Sequence, residues 1–479
     1  MKKLFALLLC LILGTFLALS GCSDPEEPAP AQIWTPETIR QKPVTSDDFL
    51  IGSWVSYARS SARKSAVDQT ALLSDGGINF LIYASCVPSY GMLQEGESAR
   101  LRNLSSLDWW KRIDELMKAN NIVYMFSSDA GLGGNDTENR VGWKDNAGQS
   151  GVDNAANIVP LLDNCIGYHL ADEPSYDSLP ALAAVGKKYA QIKDGLTAFW
   201  NAHPGTSLAA TGGDYEAYFK NYLDNVGSGN TQWISHDFYP FTGNIDNVPV
   251  SSAMFSDMAV MRRICQEYGV KAHAFVQSCS WKNGTWIMPN IDQIKWNVNA
   301  YMAYGFQAIS YFNYVMWGYE DCIDGIIDID GNMKRQALYD ALADYNFGIR
   351  ALAANIKLSS LKCEAVYHTR ASISGTQKLP DNWLVSPDGR QNLILSYLQP
   401  DGEAAAPYLI LMNNSFNDTI ENQVFQIAPD SGIEGLEVYD FMTGTFEQIE
   451  ILDGAFELSF EKSESKYLKI TGNVNRGLI

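Results

Sequence analysis

Between residues 50 and 352 the chain alternates short apolar runs with longer stretches whose apolar positions recur at helical spacing. The runs that read as strands are Leu50–Val55, Ile78–Ser85, Ile122–Ser127, Cys165–Leu170, Ser207–Thr211, Gln232–Asp237, Lys271–Gln277 and Phe306–Tyr311. The stretches between them carry one apolar stripe each. Leu338, Leu342, Tyr345, Ile349 and Leu352 share one helical face, and Leu107, Trp110, Ile113 and Met117 share another. Strand-like runs regularly separated by helices predict a parallel sheet with helical crossovers. A doubly wound sheet alternates in the same way, but with fewer units and a glycine-rich phosphate turn. The cluster Gly131-Leu132-Gly133-Gly134 does not match a dinucleotide fingerprint. The expected fold is therefore α/β, a TIM (β/α)8 barrel over residues 48–357.

After Lys357 the pattern changes to closely spaced short strands: Glu364–His368, Leu393–Leu398, Tyr408–Met412, Gln423–Ile427, Leu436–Phe441, Phe456–Phe460 and Tyr467–Ile470. Phe456, Leu458 and Phe460 alternate with Glu457 and Ser459, as in a sheet with one wet face. Thr443-Gly444-Thr445 reads as a tight turn. Residues 358–479 are thus expected to form an all-β sandwich, covering the outside of the barrel.

The start of the chain is of another kind. Lys2 and Lys3 precede an apolar core from Leu4 to Ala18, closed by Leu19-Ser20-Gly21-Cys22. This is the pattern of a secretory signal over residues 1–21. Its ending resembles a bacterial lipobox, which implies that Cys22 becomes an acylated N-terminus. Ser23-Asp24-Pro25-Glu26-Glu27 resembles the acidic tag that directs lipoproteins of Bacteroides-type bacteria to the outer surface of the cell. Residues 22–47 read as an acidic, proline-rich tether. The expected location is the bacterial outer membrane, facing outward, with the lipid at Cys22 as the one contact with the bilayer.

A net charge of −20 argues against nucleic acid or anionic lipid as partners. Cys86, Cys165, Cys265, Cys279, Cys322 and Cys363 show no CxxC spacing, so no zinc site is expected, and they read as small buried apolar residues. Neither a metal nor a cofactor is expected. Aromatic residues make up 12% of the chain, with 12 Trp and 24 Tyr. Flat apolar rings suit both a large core and the faces of sugars.

The chemistry concentrates after the fourth run, in His169-Leu170-Ala171-Asp172-Glu173-Pro174-Ser175. The carboxyl end of a barrel strand opens onto the active-site face. Two adjacent carboxylates there push each other's pKa apart, which can keep one protonated as an acid near neutral pH. Asp-Glu-Pro-Ser also suits the start of a helix, as a cap. Asp237, in Ser235-His236-Asp237-Phe238-Tyr239-Pro240, stands after the sixth run; Asp129, Asp214 and Glu320-Asp321 also follow run ends, where each alone reads more readily as a cap or surface charge. Trp54, Tyr83, Tyr239, Trp281, Trp286, Asn313 and Trp317 complete a set of strand-end residues able to stack on sugar rings or hydrogen-bond hydroxyls. His169 reads as a core histidine.

With Asp-Glu-Pro after strand four and a sandwich behind the barrel, the chain resembles the large clan of barrel glycoside hydrolases, nearest to its family 42-like and uncharacterised Bacteroides members. In that clan an Asn-Glu-Pro-type motif at this strand end carries the general acid/base, which maps to Glu173. The likeness spans the barrel and, more loosely, the sandwich through Val438-Tyr439-Asp440-Phe441-Met442-Thr443-Gly444. One departure is plain: the clan's nucleophilic Glu ends strand seven, where this chain has Gln277. A second carboxyl group must come from elsewhere, with Asp237 as the candidate, or Asp172. Gln277 is expected to hydrogen-bond a substrate hydroxyl, and Asp129 to line the substrate site.

The resemblance implies a glycosidase acting on an oligo- or polysaccharide at the cell surface, beside neighbouring glycan-uptake proteins. Two other readings remain open. An Asp-Glu pair on strand four is similar to that of N-acetylhexosaminidases that use substrate assistance, with Asp172 orienting the 2-acetamido group and Glu173 protonating the leaving oxygen. A barrel that has lost its nucleophile would instead be a non-catalytic glycan-binding lipoprotein.

Overall fold

The computed structural model describes residues 32–54, 65–82, 106–126, 147–243, 252–282, 284–316, 322–328, 330–400 and 406–479. Eight parallel strands close into a barrel: β1 (Leu50–Ser53), β2 (Phe80–Ile82), β3 (Val123–Phe126), β4 (Cys165–Asp172), β5 (Thr197–Ala202), β6 (Trp233–Asp237), β7 (Lys271–Gln277) and β9 (Ala308–Phe312), with β9 pairing back onto β1. Strands enclosed on both faces are apolar nearly throughout. Every residue of β1, β2, β3, β5 and β6 is buried. A separate two-stranded antiparallel sheet joins β8 (Ser280–Trp281), which follows β7, to β10 (Cys322–Asp324), which follows β9.

The crossover helices bury the stripes that the sequence shows. In the helix Ser106–Ala119, Trp110, Ile113 and Met117 are buried; in Gln336–Ile356, Leu342, Ile349 and Leu352 are. Helix ends are chemically marked. Asp214 accepts from the backbone N–H groups of Glu216 and Ala217, capping the helix Tyr215–Val226, so this carboxylate is a cap. Asn290 and Gln293 form a capping box on Ile291–Ala303.

The fifth strand departs from the sequence reading. Ser207–Thr211 was the expected run, but Leu208–Thr211 is a short helical turn and Leu208 is exposed. The strand is Thr197–Ala202, whose Phe199 and Trp200 are packed in the core. The alanine-rich Leu-Ala-Ala-Thr segment favours helix, and tertiary burial selects Thr-Ala-Phe-Trp for the sheet.

Behind the barrel lie two antiparallel sheets. One has six strands, in the order β11 (Leu361–His368), β13 (Leu393–Pro400), β14 (Tyr408–Asn413), β19 (Ser465–Gly472), β16 (Ile433–Tyr439), β17 (Phe446–Gln448); the other has three, β12 (Val385–Pro387), β15 (Ile420–Ile427), β18 (Ala455–Phe460). Their facing residues, among them Trp383, Leu395, Leu411, Phe425, Phe456 and Leu468, form a second core. The strands β12 and β17 were not foreseen, being only three residues long. In the turn before β17, Gly444 has φ +72°, and a Cβ there would lie 2.2 Å from the carbonyl oxygen of Trp34.

Polar contacts tie the sandwich to the barrel helices. Trp296 Nε1 donates to Asn414 Oδ1 at 2.9 Å, Asn299 Nδ2 to the Ser463 carbonyl at 2.8 Å, and Tyr304 Oη lies 2.8 Å from His368 Nε2. Phe416 packs between Phe241 and Trp296, with centroids 5.9 Å from each. Cys165, Cys279, Cys322 and Cys363 are buried and Cys265 is partly so, all of them free thiols.

Candidate active site

The carboxyl ends of the barrel strands surround a cleft of about 490 Å³, lined by Trp54, Asp172, Glu173, Asn201, Pro204, Thr206, Asp237, Phe238, Tyr239, Phe275, Trp281, Trp286 and Phe312. Strand β4 ends on Asp172, and the register sets Asn201 of β5 beside it. Asn201 is in turn level with Ser235 on β6, two residues before Asp237 at that strand's end. Three carboxylates from the ends of two strands, adjacent Asp172 and Glu173 and distant Asp237, therefore converge on one cleft.

Asn201 joins two of them. Its Nδ2 donates to Asp172 Oδ1 and to Asp237 Oδ2, each at 3.0 Å. One planar amide nitrogen, with its two N–H donors, thus serves both carboxyl groups. Asp237 is buried, and its proton affinity is well above the ordinary carboxylate range. Desolvation is the largest cause, followed by the negative charges of Glu173 and Asp172; hydrogen bonds from Tyr239 and Asn201 pull the other way. Burial and Asp237 likewise raise the pKa of the Tyr239 phenol.

Glu173 is the accessible member, with its side chain 38% exposed and its Oε1 3.3 Å from His203 Nδ1. Its backbone N–H donates to the Asn201 carbonyl at 2.9 Å, and its φ is +46°, in the left-handed region that L side chains avoid. Such a conformation at a non-glycine residue costs about 1 kcal/mol or more and clusters at functional sites. Neither Asp172 nor Glu173 caps a helix: the next turn, Tyr176–Ser178, follows Ser175. The loop carrying His203 is pinned from below. Gly205 N–H donates to Asp257 Oδ2 at 2.9 Å, and a Cβ on Gly205 would lie 2.2 Å from Asp257 Oδ1. His236 Nε2 approaches the same oxygen at 3.4 Å.

The opposite wall is aromatic. Tyr239 stacks on Phe312 at 5.1 Å and meets Trp286 edge-on at 4.6 Å, and Trp286 meets Trp281 at 4.6 Å. Trp54, at the end of β1, sets its ring edge-on to His169 and Phe275. A cleft lined by both aromatic rings and carboxylates suits a ligand with one apolar face and many hydroxyls.

Of the residues singled out in the sequence, Trp54, Asp172, Glu173, Asp237, Tyr239, Trp281 and Trp286 meet at the cleft. Cys22, Tyr83, Asp129, Trp317 and the Glu320-Asp321 pair lie outside the described residues. Gln277 does not reach the cleft in the manner expected. It is fully buried, its Oε1 accepts from Phe241 N–H at 2.9 Å, and its Nε2 donates to the carbonyls of Phe241 and Ile287 at 3.0 and 2.8 Å. An amide so occupied holds two loops together and has no donor left for a sugar hydroxyl. Asn313 is also fully buried, with Nδ2 directed at Cys322 Sγ. His169 is a core residue, set against Trp54 and Phe199.

Asn201, His203 and Phe312 were not picked out by sequence reasoning. The signal was present in Thr197-Ala-Phe-Trp-Asn-Ala-His-Pro204, an apolar run ending in polar residues and a proline, the same pattern as strand four. Among the described residues no cluster of His, Cys, Asp and Glu has the arrangement of a metal site.

No protein-family model and no curated protein matches this sequence. Solved structures that it resembles include an α-amylase from Anoxybacillus, at 10% identity and TM-score 0.48, with 90% of this chain and 99% of that chain covered. A GH42 β-galactosidase from G. stearothermophilus aligns at 9% identity and TM-score 0.47, covering 89% and 98%. A GH128 endo-β-1,3-glucanase from Sorangium cellulosum aligns at 14% identity and TM-score 0.38, covering 61% and 97%. All three are glycoside hydrolases, and at these identities the likeness is one of fold.

Proposed function

We propose that the protein is a glycoside hydrolase whose reaction centre is the group Asp172, Glu173 and Asp237. The observation that carries this reading is the convergence of three carboxylates on one cleft, with Asp237 buried and joined to Asp172 through Asn201. Glycoside cleavage needs one carboxyl group that is protonated at rest and one that is ionised. Asp237 supplies the proton to the leaving oxygen. Asp172, which accepts a hydrogen bond from Asn201, is the ionised partner. This differs from the role that the resemblance gives to Glu173. Here burial keeps Asp237 protonated, the charge of Glu173 adds to that effect, and Glu173 presents a carboxylate to the ligand at the cleft mouth. The ~5–5.5 Å separation of retaining enzymes fits a pair bridged by one amide nitrogen. Asp172 then attacks the anomeric carbon as Asp237 protonates the departing oxygen; water, deprotonated by Asp237, releases the sugar.

Gln277 does not favour a non-catalytic binder, because its amide is committed to backbone groups behind the cleft. The chain is also proposed to be a lipoprotein anchored through Cys22 on the outer surface of a bacterial cell, where an oligo- or polysaccharide is the substrate and glycan-uptake proteins are the neighbours. The test is incubation with a panel of glycans, including 2-acetamido sugars, with reducing ends measured. Product from the native protein and none from Asp237→Asn supports the reading. Bound glycan with no product from either refutes it, and cleavage confined to 2-acetamido sugars with Asp237→Asn still active points to substrate assistance by Asp172 and Glu173.

A further inference from the structure

Asn201 meets two acceptors with one nitrogen, and the barrel interior decides which way its amide points. Its Oδ1 accepts from the Ser235 hydroxyl at 2.9 Å. Ser235 Oγ also lies 2.9 Å from His273 Nδ1, and His273 Nε2 lies 2.8 Å from Ser310 Oγ. These residues sit on β5, β6, β7 and β9, consecutive strands of the closed barrel, so the contacts run round its interior.

We propose that Asn201 is the positioning residue of the carboxylate pair, and that a one-way chain of donors, from Ser310 to His273 to Ser235 to Asn201, fixes its amide. The meaning of this chain for catalysis rests on the glycosidase reading; its direction does not. Proton counting sets the direction. Both N–H bonds of Asn201 are used on Asp172 and Asp237, so its oxygen needs a donor. Ser235 has one hydroxyl proton, and once that is given to Asn201 its contact with His273 requires Nδ1–H as donor. A neutral imidazole with its proton on Nδ1 has an acceptor at Nε2, which takes the Ser310 proton. Reversing the chain would turn the oxygen of Asn201 toward the ionised Asp172, acceptor against acceptor.

The surroundings keep His273 neutral. Phe80, Phe199 and Phe275 wall its ring at centroid distances of 6.3, 5.2 and 4.9 Å. Burial alone pushes its pKa down to about 3. Room for the last hydroxyl comes from Gly52 on β1, where a Cβ would lie 2.3 Å from Ser310 Oγ. The carboxylate pair itself is faced by Glu173, which is paired with His203, by Tyr239, and by Tyr215 and Tyr301. Ser310 is three strands away from Asn201. An effect of Ser310 on the carboxylates therefore reports on the chain.

The experiment is NMR on the full-length protein, with 15N-histidine to read the His273 tautomer and 13C-aspartate to read carboxyl titration. The expected native state is neutral His273 with its proton on Nδ1 from about pH 5 to 8. In Ser310→Ala the Nε2–H form appears, and Asp172 and Asp237 titrate about one pH unit higher, having lost their oriented donor. Ser235→Ala gives the same carboxyl shift and lowers kcat about tenfold with KM held. An Nε2–H tautomer in the native protein, or carboxyl titration unmoved in both variants, overturns the proposal. Should the native protein cleave no glycan, the glycosidase reading fails, while the tautomer and the titrations still decide the chain.

Discussion

His203 sets its Nδ1 3.3 Å from the carboxylate of Glu173, holding toward the cleft a side chain whose backbone lies in the left-handed region. The pair joins the ends of β4 and β5, and the negative charge of Glu173 raises the proton affinity of Asp237 more than that of Asp172 does. Replacing Glu173 by Gln keeps the shape and removes that charge. The proton of Asp237 is then held less tightly, so the alkaline limb of the pH–rate profile is expected to move to lower pH. An unmoved limb in Glu173→Gln would separate Glu173 from the acid.

Asp237 also makes a prediction about stability. Its folded pKa is raised above the unfolded value, chiefly by burial. The folded state therefore holds a proton that the unfolded state releases, and stability falls as pH rises from about 4 through the folded pKa. Asp237→Asn has no proton to lose there. Its Tm is expected to be flatter over that range and higher than that of the native protein on the alkaline side, while turnover falls roughly 10²–10⁴-fold. Parallel Tm–pH curves for the two proteins would count against a protonated Asp237.

Gln277→Glu places a carboxylate against the carbonyls of Phe241 and Ile287, which now receive N–H donors. The substitution is expected to cost about 2–4 kcal/mol in denaturant unfolding and to create no nucleophile. New glycosidase activity in Gln277→Glu would mean that this side chain reaches the substrate after all.

Trp286 stands between Tyr239 and Trp281 in the aromatic wall. Trp286→Ala is expected to raise KM about 3–10-fold with little change in kcat, as loss of a stacking face weakens ground and transition states alike. A fall in kcat alone would place the ring in the chemistry rather than in binding.

Cys22→Ser removes the proposed acylation site. The variant is expected to leave the membrane fraction, since a lipid anchor is the attachment proposed for this chain. Retention in membranes after a carbonate wash would count against the lipobox.

The barrel was legible because its strands are enclosed on both sides, so that Lys271–Gln277 and Trp233–Asp237 stand out as apolar runs among amphipathic helices. Seven of the eight runs fell on real strands. The exception is Ser207–Thr211, where helix-forming alanines make a helical turn; Asn201 and His203 belong to β5 at Thr197–Ala202 and the loop after it, outside that run. Asp172, Glu173 and Asp237 could be found as carboxylates at strand ends. What could not be read was which of them loses water, because burial of Asp237 depends on Tyr239 and on residues of other strands. The role of Gln277 is hidden for a related reason: its partners are backbone groups at Phe241 and Ile287, and nothing in the local sequence announces them.

The ring of Phe416 ties the sandwich to the cleft. It is seated on Phe241, whose backbone is held by Gln277 and whose loop begins at Phe238, directly after the proposed acid Asp237. Cutting the chain after the last barrel helix would expose Phe241 and Trp296 and withdraw the support beneath that loop. The barrel, though complete in its strands, is thus a poor candidate for expression alone, and variation on the sandwich face around Phe416 is a route by which evolution can retune the cleft without touching a residue that lines it.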